Sequence, residues 1–226
     1  LECSAAAASA AIYRDEKLLG EEFLNVPQTH SVTLLPMAKS LLEHTGISPA
    51  QIDYYAVSRG PGSFTGLRIG IAAIKGLAFP DDTPCIGVST PEAIAYGLLG
   101  FEGTVIPMMD ARCGQVYTAL FQGKDGRVTR LSEDEALPLS ELKEKLKSCT
   151  GPLWLCGDGA HLGLAAWGEE LPVRMAPAHL CCQRASAVGL AAMQHLGEAV
   201  SPAALVPCYL RPANAMTLAE RQHKAE

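Results

Sequence analysis

Apolar and polar positions follow two different periods along the chain, and each period predicts a different kind of element. Two apolar segments, 9–13 and 17–24, flank the polar triplet 14–16, which is typical of a strand hairpin. Further on, apolar side chains recur at the spacing of one helical face: Leu34, Leu35, Ala38, Leu41 and Leu42. This spacing predicts a helix over 30–44, which Gly46 ends as a C-cap.

Short apolar runs and longer helical segments then alternate. In chain order they predict a strand, a helix, a strand and a helix: 53–58, 64–79, 85–88 and 93–99. The last of these helices starts at a Ser89 or Thr90 cap followed by Pro91. From Thr104 a similar pattern begins again. It predicts strands over 104–109, 114–122, 128–131 and 153–156, and helices over 139–147 and 185–196.

Both halves therefore combine hairpins, helices and strand–helix alternation. This order predicts an α/β protein of two related lobes, each a mixed sheet with flanking helices. The boundary is expected near 100–103, which gives an N-terminal lobe over 1–102 and a C-terminal lobe over 103–226. A return of the C-terminal tail to the first lobe is left open.

Composition narrows the classes of function. The net charge of −6 and pI of about 5.5 argue against a free-standing nucleic-acid binder, so any RNA contact is expected to be local or supplied by a partner. No apolar run reaches the about 18 residues of a membrane span, and the start resembles no signal peptide. The eight scattered cysteines lack any C-x-x-C pair, which indicates reduced thiols in the cytoplasm. Because the chain opens on an apolar residue that is not Met, part of a first strand is expected before Leu1.

The stretch SRGPGSFTGLRIG, residues 58–70, looks like a phosphate-binding turn between a strand and a helix. It matches neither the Walker A pattern nor the dinucleotide fingerprint, because Gly60, Gly62 and Gly66 are spaced G-x-G-x-x-x-G. A structural turn explains Pro61 and Gly62 without a ligand. Phosphate binding is therefore the minority interpretation.

The helix that follows has unusual composition for a surface helix. Arg68 and Lys75 are its only charged residues, and it carries Gly66, Gly70 and Gly76. Each interior glycine costs about 0.5–1 kcal/mol relative to alanine, so the helix needs a reason for them. Packing within its own lobe is one explanation, and a close contact with a second helix is the favoured one.

Three further motifs have plain structural explanations beside their chemical ones. Asp110 and Arg112 form either a surface ion pair in a hairpin turn or part of a second phosphate or partner loop. The loop 157–159 is either a common turn or the adenosine side of a nucleotide site. His30 lacks a second metal ligand one turn on, where Leu34 stands, so a capping or surface role is expected.

Together these segments resemble the bacterial TsaB (YeaZ) family. The most specific match is RGPGSFTGLRIG at 59–70, in which Arg59, Gly60, Pro61, Gly62 and Ser63 form the signature loop. Further segments support it: LECSAAAASAAIY at 1–13, HSVTLLPMAKSLL at 30–42, GVSTPEAIA at 87–95, DARCGQVY at 110–117 with Asp110 and Arg112, and PCYLRP at 207–212.

The resemblance implies an actin-like ATPase (ribonuclease H-like) fold and a non-catalytic, scaffolding role. Such proteins are expected to activate a TsaD-like catalytic subunit that, with a TsaE-like ATPase, makes threonylcarbamoyladenosine beside the anticodon of tRNAs reading codons that start with A. A homodimer is expected when the chain is alone, with tRNA bound through the complex, no membrane contact and no cofactor of its own. A nucleotide at the subunit boundary is left open.

By the same resemblance, helices 30–44 and 64–79 form the surface that binds the partner. The side chains assigned to that interface lie on both helices: Leu34, Met37, Leu41, Gly66, Leu67, Arg68, Gly70, Ile71 and Ile74.

Three alternatives remain. A small ATP-dependent kinase of the same fold would use Asp110 or Glu2 to organise Mg²⁺. A metalloprotease would need at least two clustered ligands, which the histidine spacing does not offer. A purely structural, self-associating protein is the third. The resemblance favours the tRNA-modification role over all three.

Overall fold

The computed structural model describes residues 1–26 and 29–211. The predicted family segment 207–212 extends one residue beyond this range. In the first half the elements are β1 (Ala8–Arg14), β2 (Lys17–Leu24), α1 (His30–Thr45), β3 (Tyr55–Gly60), α2 (Phe64–Ala78), β4 (Cys85–Ser89) and α3 (Thr90–Tyr96). No helix in these ranges is both long enough and apolar enough to cross a membrane.

The second half is richer in short strands. It contains β5 (Gly103–Asp110), β6 (Gln115–Thr118), β7 (Phe121–Lys124), β8 (Arg127–Arg130), β9 (Glu135–Pro138), α4 (Leu139–Leu146), β10 (Leu153–Cys156), α5 (Ala160–Trp167), β11 (Val173–Met175) and α6 (Ala185–Ala192). Of these, β9, α5 and β11 have no counterpart in the sequence-based assignment.

The strands form one large and two small sheets. Strands β1 and β2 are an antiparallel hairpin, and β3 and β4 pair in parallel. The large sheet runs β11-β10-β5-β6-β9, with β7 attached to β5 and β8 to β7. The mixed α/β character predicted from the sequence is confirmed, since β10 pairs in parallel with β5 while β6 and β7 pair with it antiparallel.

The predicted strand over 114–122 is wrong as a single element. Strand β6 pairs with the end of β5, at Met108–Asp110, whereas β7 pairs with its beginning, at Gly103–Val105. The chain breaks between them at 119–120 to change its register along β5. The predicted helix over 185–196 is shorter than expected, because α6 ends at Ala192 and the chain continues as 3-10 helix.

Helices α1 and α2 cover the first two small sheets from one side. Leu34, Met37 and Leu41 of α1 pack with Ala10 and Ile12 of β1 in one core cluster. From α2, Ile71 and Ile74 pack against Val57 of β3 in a second cluster. The predicted amphipathic helices are therefore confirmed, and their apolar stripes are buried against strands of the same chain.

A groove of about 1530 Å³ separates the β1–β2 hairpin from the β3–β4 pair. Leu1 lines this groove, and its backbone nitrogen donates to the carbonyl of Ala56 at 2.7 Å. Glu2 also forms an antiparallel bridge with Ser9 of β1. The expectation that part of a strand precedes Leu1 stays a prediction.

Residues 185–205 lie alongside elements of the first half. Helix α6 contacts β1, β3, β4 and α3. Val200 forms an antiparallel bridge with Cys85, and Leu205 is buried beside Val57 and Ile71. These contacts show that part of the second half packs against the first half. The division at 100–103 stays a prediction.

An ion-pair network also joins the two halves. Arg130 of β8 contacts Glu92 of α3 at 3.3 Å and Asp134 at 2.7 Å. His195 contacts the other oxygen of Glu92 at 2.9 Å through Nε2 and Glu198 at 2.9 Å through Nδ1. Burial alone lowers the pKa of His195, but the hydrogen bonds to Glu92 and Glu198 outweigh it and raise the pKa above 6.5.

This shift predicts a pH dependence of stability. A histidine whose folded pKa is raised stabilises the protein below its unfolded pKa, about 6.5, and that stabilisation is lost as the pH rises through the folded pKa. In thermal melts between about pH 5.5 and 8.5, the midpoint of the unmodified protein should therefore have a more negative slope against pH than that of His195→Gln. His44→Gln, at an exposed histidine, should leave the slope unchanged. Equal slopes for the His195 variant and the unmodified protein would contradict the assignment.

Candidate functional site

The glycines of the signature loop lie against the chain's own backbone. An ideal Cβ at Gly62 would lie 2.6 Å from the carbonyl oxygen of Ser4, and one at Gly66 would lie 2.1 Å from that of Cys3. Gly60 has a φ of 125°, and its Cβ would meet the carbonyl oxygen of Cys208 at 2.2 Å. Glycine is required at these positions because segments of the same chain pass so close.

The amides that begin α2 are also engaged. The backbone nitrogen of Ser63 donates to the carbonyl of Ser4 at 2.7 Å. The amide of Gly66 donates to the Ser63 hydroxyl at 3.2 Å, so Ser63 is the N-cap of the helix. A phosphate cradle needs such amides free to point at a ligand. The geometry therefore supports a packing role for the signature loop.

Most of the residues predicted to form the partner interface are buried within this chain. Eight of the nine residues are buried: Leu34, Met37, Leu41, Gly66, Leu67, Gly70, Ile71 and Ile74. Only Arg68 is exposed. The physical reason is the proximity of the strands, since a Cβ on Gly70 would meet the Cys3 sulfur at 3.0 Å and a methyl of Val57 at 3.2 Å. The favoured explanation of the glycines as a contact with another helix is therefore wrong for Gly66 and Gly70.

The outward faces of α1 and α2 carry a different set of residues. The two helices contact each other while α1 packs on β1 and β2 and α2 packs on β3, so their remaining faces point away from the core. On α1, Val32 is 66% exposed and Leu35 is 46% exposed. On α2 and just after it, Ala72 and Gly76 are exposed, and Phe79 is 79% exposed. We call these five residues the α1–α2 outer face.

The 110–117 segment forms the hairpin turn between β5 and β6. Asp110 accepts a hydrogen bond from the amide of Arg112 at 2.8 Å and pairs with its guanidinium at 3.3 Å. Arg112, Cys113 and Gly114 all have left-handed backbone angles, with φ of 65°, 55° and 70°. Because the Arg112 side chain is exposed, its ion pair contributes less than about 1 kcal/mol.

The carboxylate of Glu2 is fully buried. It accepts a hydrogen bond from the amide of Ser4 at 2.5 Å and another from the hydroxyl of Ser58. A carboxylate that organises Mg²⁺ in a kinase must be free to face the metal and the phosphates. Either carboxylate that the kinase alternative could use, Glu2 or Asp110, is instead held by donors of this chain.

The 157–159 loop is a tight turn against β5. A Cβ on Gly157, which has a φ of 90°, would lie 2.3 Å from the carbonyl oxygen of Met108. The carboxylate of Asp158 accepts a hydrogen bond from Gln183 at 2.7 Å. Burial raises the pKa of Asp158 above its usual value, and the nearby charge of Asp110 raises it further. The loop is thus packed on the sheet and tied to the segment before α6.

His30 lies at the start of α1, and its Nε2 atom is 2.7 Å from the carbonyl oxygen of Ala5. Leu34, one turn later, is buried in the core. Over 1–26 and 29–211 there is no cluster of three His, Cys, Asp or Glu residues that would hold a metal ion. The ring of His30 therefore fastens the loop before β1 to the helix.

Three of the family segments meet at one cleft of about 180 Å³. Its lining comes from the signature loop, the β5–β6 turn and the segment that ends at Arg211: Pro61, Gly62, Phe64, Ala111, Arg112, Tyr117, Cys208, Tyr209, Leu210 and Arg211. Cys208 donates to the carbonyl of Arg59 at 2.7 Å, and Arg211 donates to that of Ala111 at 2.8 Å. We call this feature the signature cleft.

Sequence reasoning assigned no role to the aromatic residues of this cleft. The ring of Phe64 lies 4.9 Å from that of Tyr209, centre to centre. The only signal in the sequence was that Tyr209 and Tyr117 lie in two segments that resemble the family, 207–212 and 110–117. Nothing local to those segments indicated that they would meet, because Tyr209 reaches Phe64 from the far end of the chain.

The close approach of α2 to residues 3–4 predicts opposite effects for two glycines of the same helix. Gly66→Ala should lower the free energy of unfolding by about 2–3 kcal/mol, because the new methyl group meets a backbone oxygen. Gly76→Ala should raise it by about 0.5–1 kcal/mol, because a Cβ there has no neighbour within 4 Å and alanine favours the helix. Urea denaturation of both variants measures the difference. A Gly66→Ala protein as stable as the Gly76→Ala protein would contradict this packing.

We compared the chain with known protein families and with proteins of known name. A family model described as "TsaD: tRNA N6-adenosine threonylcarbamoyltransferase" matches residues 24–148. A Bacillus subtilis protein named "tRNA threonylcarbamoyladenosine biosynthesis protein TsaB" is 32% identical over 205 residues, which cover 91% of this chain and 90% of that protein. The Escherichia coli protein of the same name is 35% identical over 162 residues, or 70% of each chain.

Solved structures agree with these relatives. A Pseudomonas aeruginosa protein described as uncharacterized "with similarity to peptidase YEAZ" superposes with a TM-score of 0.79 at 28% identity, covering 93% of this chain and 97% of that one. A second structure, "YeaZ from Pseudomonas aeruginosa", has a TM-score of 0.77 at 27% identity over 92% of this chain and 97% of that one. The predicted actin-like ATPase type of fold is confirmed by these matches. The chain belongs to the TsaB (YeaZ) family.

Proposed function

We propose that this protein takes part in the biosynthesis of threonylcarbamoyladenosine in tRNA, as the subunit that supports a TsaD-like catalytic partner. The observation that carries the proposal is the match to the Bacillus subtilis TsaB protein over 91% of this chain. The modified nucleoside lies next to the anticodon of tRNAs that read codons starting with A. Nothing in residues 1–26 and 29–211 favours the kinase alternative.

A non-catalytic role is supported by how the polar groups of the fold are used. The carboxylates of Glu2 and Asp158 accept hydrogen bonds from Ser4, Ser58 and Gln183. His30 contacts a backbone carbonyl. Because these groups hold loops in place, the transferase chemistry is assigned to the partner, in the cytoplasm, where tRNA is modified.

The α1–α2 outer face is the surface proposed to bind the TsaD-like subunit. It places Val32, Leu35 and Phe79 in water although each is large and apolar. Exposed apolar patches of this kind mark contacts with other proteins. The TsaD-like subunit belongs to the same fold family, since its family model matches 24–148 of this chain, a range that contains α1 and α2. In its absence a second copy takes the same face, and a TsaE-like ATPase joins the assembled pair.

Loss of this protein should lower threonylcarbamoyladenosine in tRNA. The expected result after depletion is a several-fold drop of that nucleoside, measured by mass spectrometry of digested tRNA, and recovery when the full chain is supplied again. Other modified nucleosides of the same tRNA digest serve as the control. An unchanged level of threonylcarbamoyladenosine would remove the functional assignment.

A substitution on the outer face should separate docking from folding. Ala72→Arg places a charged side chain on the exposed side of α2, where it costs binding because the charge loses water at an interface. The thermal midpoint should stay within about 2 °C of the unmodified protein, since surface changes are nearly neutral. Sedimentation with and without the TsaD-like subunit should show lost association.

One further variant serves as a control for this test, and another is unsuitable for it. Leu131→Asp, at a residue 54% exposed on the far half, should associate normally. Gly70→Arg cannot report on docking, because it would collide with Cys3 and Val57 and unfold the lobe. Normal association of a folded Ala72→Arg protein would show that α2 does not bind the partner.

A further inference from the structure

We infer that the signature cleft contacts an unpaired nucleotide of the tRNA, so that this subunit itself touches the RNA substrate. The inference rests on the proposed function, since it names the substrate that the cleft would recognise. It is carried by a juxtaposition of aromatic rings and arginines at one small cleft of an otherwise acidic chain.

Three aromatic side chains line the cleft. Phe64 and Tyr209 have ring centres 4.9 Å apart with a tilt of 31°, and Tyr117 also lines the cleft. Tyr209 is 38% exposed, so its ring is only partly covered by Phe64. Unstacked bases of RNA bind on such rings, and base–aromatic stacking tolerates any base because each has a π-face.

Two arginines, Arg112 and Arg211, line the cleft, and a third, Arg68, contacts two of its rings. Arg68 lies over the Phe64 ring with its guanidinium carbon 4.0 Å from the ring centre, and its Nε donates to the Tyr209 hydroxyl at 3.1 Å. Arg211 donates one bond to the carbonyl of Ala111 at 2.8 Å. Within the described residues neither Arg68 nor Arg211 pairs with a carboxylate, and Asp110 pairs only with Arg112.

The combination fits single-stranded RNA better than an acidic protein segment. An acidic peptide would pair with Arg68 and Arg211 but would leave the rings of Tyr117 and Tyr209 without a matching group. A nucleotide engages both, since the base stacks on a ring while the phosphate takes the guanidinium donors. A volume of about 180 Å³ admits an extruded base and excludes a duplex. The anticodon loop, whose bases are unpaired, meets this requirement.

The geometry also predicts that the chain alone binds RNA weakly. With at most three arginines on phosphates, the logarithm of the binding constant should fall with the logarithm of salt with a slope of about −2, whereas a strong binder shows a much steeper slope. The net charge of −6 opposes RNA elsewhere on the surface. Full affinity therefore needs the catalytic partner beside this cleft.

The first test measures binding of a labelled anticodon stem-loop RNA to the full chain by fluorescence anisotropy at several salt concentrations. Tyr209→Ala should weaken binding about tenfold through lost stacking, whereas Tyr209→Phe, which keeps the ring, should retain most of it. Arg211→Gln should weaken binding and reduce the salt slope by about one. Arg127→Gln, at an exposed arginine of β8 outside the cleft, is the matched control and should reduce neither affinity nor slope by a comparable amount.

A second measurement covers the case in which Tyr209→Ala disturbs its segment. The stem-loop carries a photoreactive uridine, and the cross-linked peptides of the unmodified protein are identified by mass spectrometry. Cross-links within 115–118 or 207–211 support the inference. Cross-links confined to other segments, or equal RNA affinity of the Arg211→Gln and Arg127→Gln proteins, overturn it.

A third measurement, of association with the TsaD-like subunit, tells whether the cleft binds RNA or a protein. Arg211→Gln should form the complex normally while the complex binds the stem-loop less tightly. If the variant instead loses the partner and keeps its RNA affinity, the cleft is a protein-binding site and the inference is wrong. Unchanged threonylcarbamoyladenosine after depletion would contradict the proposed function without altering these binding results, so the two failures are distinguishable.

Discussion

The structure of the first half depends on one close approach, that of helix α2 to the segment before β1. The Cβ position of Gly66 lies 2.1 Å from the carbonyl oxygen of Cys3, a distance that only glycine allows. Because the helix begins there, the amide of Ser63 reaches Ser4 and the carboxylate of Glu2 reaches Ser58. A turn, a strand and a helix thereby meet at one buried junction, and the signature loop takes its shape from that junction.

The same approach explains why the outer surface of α2 is unusual. A helix whose small residues are used against its own strands presents its other side to solvent, and that side carries Ala72 and Gly76 with almost no charge between Arg68 and Lys75. Helix α1 adds Val32 and Leu35 to the same face. The fold requires the inward glycines but not the outward apolar residues. The outward residues therefore support the proposal that this face contacts a partner.

Sequence reasoning predicted the helices other than α5 and most strands, but it did not predict which side of each helix is buried. Leu34 and Leu35 are adjacent in the apolar pattern, yet Leu34 is 1% exposed and Leu35 is 46% exposed. Periodicity cannot separate two such neighbours, because both lie near the edge of the same stripe and only the position of the strand decides. The break at 119–120 was likewise hidden, since it follows from the register of β6 and β7 along β5.

The candidate site was predictable only in part, for a related reason. The signature loop and the 110–117 segment were evident as motifs, but the cleft between them also needs Tyr209 and Arg211, which arrive from more than ninety residues beyond Tyr117. Their position depends on Gly60, because a Cβ there would lie 2.2 Å from the carbonyl oxygen of Cys208. Gly60 thus allows the segment around Cys208 to pack against the signature loop, and that segment forms one wall of the cleft. The loop resembles a phosphate cradle, but the inferred contact with RNA uses the aromatic and cationic side chains that pack around the loop, because its own amides are already engaged.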